Sequence, residues 1–231
     1  MIGRAAGLAI QVVGRGRMEE HPPGQPDGAR YEGRFVIYAM ADETGPMFGG
    51  DVSLFDAGCV AKFGRGPQSA HFVAVRSGYT LEGFDTSSSD LVGQMIGRGS
   101  MNSRWKVYFD PSPDGSRDFD DRASFTRGEL VATYSAEEFF QVNTRAEVFD
   151  TRVDYVMLES KPFEFMGRSV DLAEIAPRMT ELSHAHLPEP DPNPETIPDE
   201  EPFTHRGPGV FANHFPVGGT VIAVGLGIRR S

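Results

Sequence analysis

Residues 102–110 read Asn-Ser-Arg-Trp-Lys-Val-Tyr-Phe-Asp, and every second side chain is apolar: Trp105, Val107 and Phe109 alternate with Arg104, Lys106 and Tyr108. Successive side chains of an extended chain point to opposite faces, so this pattern predicts a strand with one face in a core and one towards water. The same test succeeds on residues 30–42, where Tyr31, Gly33, Phe35, Ile37 and Ala39 share a parity opposite Glu32 and Arg34. It succeeds again on residues 145–159, where Phe149, Val153, Tyr155 and Met157 lie opposite Asp150, Arg152 and Asp154. Further strand-like runs occupy residues 8–18, 52–63, 70–84, 91–101, 128–134 and 220–228, which brings the expectation to roughly nine strands.

The runs are separated by turn chemistry: Pro22-Pro23-Gly24, Pro26-Asp27-Gly28, Gly49-Gly50 and Pro113-Asp114-Gly115. No amphipathic helix of crossover length stands between them, so the strands are expected to pair antiparallel. Two short helices are expected from capping patterns, one starting at Ser135 with Glu138 three residues on, the other at Asp171 with Glu174. The fold class that follows is all-β: a single antiparallel β-barrel across residues 1–231. Residues 187–202 hold six prolines, six acids and no base, and are expected as an acidic Pro-rich loop or arm. Such an arm serves as a linker, as a lid on a pocket, or as a wrap around a neighbouring subunit.

Charge and cysteine content narrow the functional classes. With 22 basic and 33 acidic side chains the net charge is −11, which opposes binding to nucleic acid and to an anionic membrane surface. Cys59 is the only cysteine, which excludes an internal disulfide and any multi-cysteine metal site. No stretch is long and apolar enough to read as a membrane helix, and a cytoplasmic location is expected.

Motifs for phosphate, nucleophile and metal chemistry are thin. Gly-Arg-Gly occurs at residues 14–16, 64–66 and 97–99, but no helical pattern follows any copy, so the glycines are read as corners or bulges of strands. No nucleophile-elbow sequence is present, and Cys59 sits in an apolar run as a small core residue. His184 and His186 form a pair spaced to share one strand face, with Glu189 beyond, and this resembles the first metal motif of cupins. A cupin-like metal enzyme is thus one alternative, although the preferred reading assigns no metal and no cofactor.

The strand number and spacing resemble the calycin and allene-oxide-cyclase type of barrel. That resemblance implies an interior that holds an apolar ligand or folds a flexible substrate for cyclisation. The expected ligand lining is Tyr31, Phe35, Trp105, Phe109, Phe149 and Met157, around a hollow left partly empty. Parity also turns Glu147, Glu159 and Arg76 inwards, and a carboxylate or hydroxyl so placed can move a proton at a bound carbonyl. Tyr155 and Glu147 are therefore the expected catalytic residues of a cofactor-free cyclase or isomerase acting on a polyketide- or terpenoid-like molecule. The rival reading is a non-catalytic interaction protein that forms a homo-oligomer through the acidic arm.

Overall fold

The computed structural model describes residues 5–20, 30–42, 53–85, 94–99, 102–143, 148–186 and 211–226. Its strands are β1 (Ala5–Glu20), β2 (Arg30–Asp42), β3 (Phe72–Asp85), β4 (Gln94–Gly99), β5 (Ser103–Phe109) and β6 (Glu129–Asn143). They continue with β7 (Val148–Ser160), β8 (Phe163–Phe165), β9 (Arg168–Val170), β10 (Arg178–His186) and β11 (Phe211–Leu226). Helix α1 (Ala57–Phe63), helix α2 (Leu172–Ile175) and a single 3-10 turn (Arg122–Thr126) complete the described elements. Residues 187–202 lie outside the described residues.

All the pairings are antiparallel: β1 with β2, β2 with β3, β6 with β7, β7 with β10 and β10 with β11, and β11 returns to β1, so the sheet closes. β4 and β5 act as two halves of one stave. β6 pairs with β5 along residues 129–136 and with β4 along 139–143, while β3 meets β5 near Phe72 and β4 near Asp85. Eight staves therefore make a closed antiparallel barrel, the architecture that the alternating runs predict. Hydrogen-bonded partners followed around the wall leave β3 at Val73 and return to it at Asp85, twelve residues farther along. A stagger larger than the stave number tilts the strands steeply and widens the barrel.

One end is stoppered. The β8–β9 hairpin and α2 enter between β7 and β10, and Phe163 and Phe165 pack on the ends of β3 and β5. Phe163 lies 4.7 Å from Phe109 and 5.7 Å from Phe72 between ring centroids, and Phe165 lies 5.1 Å from Phe72. Outside the wall, residues 54–56 pair back on 69–71 with α1 between them, and Phe55 packs edge-on against Tyr38 at 5.3 Å. This cover explains why Val36 and Val73, which point outwards, are fully buried.

Three local expectations fail, each for a physical reason. The run expected as a strand over 52–63 contains α1 instead, because the Asp56 carboxylate caps the Cys59 amide at 2.8 Å and Gly64, at φ 78°, ends the helix. The helix expected from Ser135 is the middle of β6, where pairing on both sides outweighs a local capping pattern. Glu159 is exposed, since the register slips between Thr133 and Tyr134 and one extra residue of β7 reverses its parity. The Asp171 expectation holds: its carboxylate accepts from the Ala173 amide at 2.9 Å and α2 follows.

Candidate functional site

Away from the stopper, the inward side chains of β3, β5, β6, β7 and β10 change from apolar to polar, with the buried Phe140 following Glu138 on β6, whereas β1 and β2 stay apolar with Ile10, Val12, Ile37 and Phe35. Along β5 they run Phe109, Val107, Trp105, Ser103; along β3, Phe72, Ala74, Arg76; along β6, Ala132, Tyr134, Ala136, Glu138. β7 gives Met157, Tyr155, Val153, Thr151, and β10 gives Met179, Glu181, Ser183. The result is three levels stacked along the axis: phenylalanines, then an aromatic box, then a layer of charge and hydroxyl.

The box comprises Trp105, Tyr134 and Tyr155, with Trp105 5.0 Å from Tyr155 and 5.9 Å from Tyr134. Tyr155 reaches out of it and donates its hydroxyl proton to Glu181 Oε2. Across the layer, Arg76 Nη2 meets Glu138 Oε2 at 2.5 Å, and Arg76 Nε donates to Ser103 Oγ at 2.9 Å. Register explains the convergence: Val153 stands directly between Glu138 and Glu181, so the two carboxylates flank one small residue. A little farther on, the Thr151 and Ser183 hydroxyls share a hydrogen bond of 2.5 Å.

Burial sets the electrostatics. Arg76 and Glu138 side chains are each 4% exposed. Desolvation pushes the Glu138 carboxyl above its ordinary value of 4.5, Arg76 pulls it back, and Glu181 pushes it up again. Burial, with Glu181 beside it, holds the Tyr155 hydroxyl protonated well beyond the ordinary tyrosine range. Charges removed from water gain little net stability from pairing, so stability alone does not account for the buried Arg76–Glu138 pair. The Trp105 indole N–H, on a residue 1% exposed, meets no acceptor among the described residues.

The expected site residues separate into groups. Trp105, Phe109, Phe35 and Tyr155 face inwards and are 1–3% exposed, so they fill the interior instead of bordering a void, and Met157 is half-buried beside them. Arg76 shares the inward face with Phe72, as parity requires. For Tyr31 and Phe149 the register is described: Tyr31 stands opposite Met18 and Tyr79, Phe149 opposite Val142 and Ala185. Glu147 lies outside the described residues.

Glu138 and Glu181 escaped the sequence reading. Glu138 was concealed by the capping pattern at Ser135, and Glu181 lies in a run whose histidines draw attention to the opposite parity. Counting parity from Tyr134 through Ala136 to Glu138, or from Met179 to Glu181, would have found both.

The histidine pair stands on β10, but His184 points out of the barrel and bonds Asp150 Oδ1 through Nδ1 at 2.6 Å. Among the described residues no three His, Cys, Asp or Glu side chains gather as metal ligands. Among the same residues no helix is long and apolar enough to cross a membrane. Comparison with protein-family models, with curated proteins and with solved structures returns no match.

Proposed function

We propose that this barrel binds a small, largely apolar molecule beyond the polar layer, with the ligand's polar end turned towards Arg76, Glu138, Tyr155 and Glu181. The observation that carries this reading is that layer itself, a paired cation, a second carboxylate and a tyrosine hydroxyl enclosed by a wall that continues past it. β6 runs on from Glu138 to Asn143 and β3 from Arg76 to Asp85, leaving stave length above the layer. The described interior below is filled, which supports a reading with the ligand on the far side from the stopper.

The same groups suit cyclisation or isomerisation without a cofactor. A wall that holds a flexible substrate in one folded shape removes much of the entropic barrier to ring closure. A substrate carbonyl competing with Glu181 for the Tyr155 hydroxyl proton is polarised by it, and Glu181 is then positioned to take up a proton.

The test begins with native mass spectrometry of freshly purified protein, followed by titration with all-trans-retinol, a terpenoid alcohol that accepts energy from tryptophan. Trp105 is the only tryptophan, so quenching of its emission reports on the barrel alone. Retained mass or saturable quenching is expected, whereas a bare chain that quenches no further than free indole does sinks the proposal. Where a turned-over ligand is found, Tyr155→Phe should keep its affinity and lose turnover; full activity in that variant removes Tyr155 from the chemistry.

A further inference from the structure

A second cleft lies on the outside of the wall. It has a volume of about 200 Å³ and is lined by Gly33, Arg34, Val75, Arg76, Ser77, Arg122 and Thr126, with no acid among these. Register shows how it becomes basic. On the outer face Arg34 of β2 stands opposite Val75 of β3, and Val75 stands opposite Lys106 of β5. The next outward row pairs Ser77 with Arg104. Arg122 arrives from the 3-10 turn, which packs against β3. Arg34 and Arg122 thus line one concavity, and Lys106 and Arg104 stand in register beside its Val75 and Ser77, in a chain whose net charge is −11.

Acids are present at the margins. Asp121 caps the Ala123 amide and stands 3.6 Å from Arg127, Glu159 closes the Lys106 row beyond Thr133, and Glu32 is two positions before Arg34 on β2. Arg76 is among the residues that border the cleft, but its guanidinium is directed the other way, to Glu138 inside the barrel. Arg34 is 7% exposed although it stands on the outer face, and it shares the cleft lining with Arg122 and Thr126 of the 3-10 turn. A guanidinium has five donors in a rigid fork, so one that already has a partner can still take an oxyanion.

We propose that this cleft is a binding site for a phosphate group, held between the Arg34 and Arg122 guanidinia, with Lys106 and Arg104 supplying the surrounding positive potential. The volume admits the phosphate and a small part of the molecule that carries it. Arg–phosphate contacts are charge-assisted, and the gathering of bases against the overall acidity concentrates anions locally.

The test is calorimetric titration of the full chain at low salt with inorganic phosphate, glycerol 3-phosphate and citrate. Saturable one-to-one binding of a phosphate is expected, weakened about tenfold or more in Arg34→Gln and in Arg122→Gln, as loss of a charge-assisted hydrogen bond predicts. Arg152→Gln, an exposed base on β7, should bind as the parent does. Equal affinity for the two phosphates assigns the site to free phosphate, and tighter binding of glycerol 3-phosphate assigns it to an organic ester. Arg122 is exposed, so its variant keeps the test valid even if Arg34→Gln fails to fold. No saturable heat, citrate binding as tightly as the phosphates, or unchanged binding in Arg122→Gln overturns the proposal.

Discussion

Glu138 carries the clearest pH signature at the scale of single residues. Its carboxyl titrates above 4.5 in the folded protein, so the fold holds that proton more tightly than the unfolded chain does. The resulting stabilisation is complete below the unfolded value and is lost as pH rises through the folded one. Glu138→Gln has no proton to lose. Urea unfolding from pH 4 upwards should therefore show the parent declining relative to the variant, at a slope of at most about 1.4 kcal/mol per pH unit. Parallel curves would mean that Arg76 fully offsets the burial. Gly14 shows a different single-residue constraint: a Cβ there would stand 2.1 Å from the Arg34 carbonyl oxygen, so the first Gly-Arg-Gly permits close approach of β1 and β2. The bulge expected near it lies instead between Gln11 and Val12.

The element that most limits the interior is the β8–β9 hairpin. Its two phenylalanines close the end of the barrel against Phe72 and Phe109 in offset and edge-on contacts. Phe163→Ala should lower unfolding free energy by about 3–5 kcal/mol, as large-to-small changes at a buried aromatic do. A loss under about 1 kcal/mol, measured in urea, would show that the hairpin hangs on the barrel without sealing it. The sequence hid this element because three-residue strands are too short for alternation to register. β10 was not among the expected strand runs; the His184 and His186 spacing fits a shared strand face but said nothing of which parity faced inwards.

Over the whole molecule, closure of the sheet puts Trp105 at the centre of a filled aromatic box, 1% exposed. Its emission should be blue-shifted and resist iodide quenching until the barrel unfolds; quenching like that of free indole would show that the wall opens. The alternating runs determined an antiparallel, mostly β chain, because the period of two is a property of the extended backbone and is written locally. They also placed Trp105, Phe35, Phe109, Arg76 and Tyr155 on inward faces. Only the tertiary structure decided that Arg76 meets Glu138 and that Tyr155 meets Glu181, since these pairs depend on strand register. The bulge that turns Glu159 outwards belongs to the same class. Register is set by hydrogen bonds between distant segments, and a slip of one residue exchanges the faces of a strand, so no single run can specify which charges share the core.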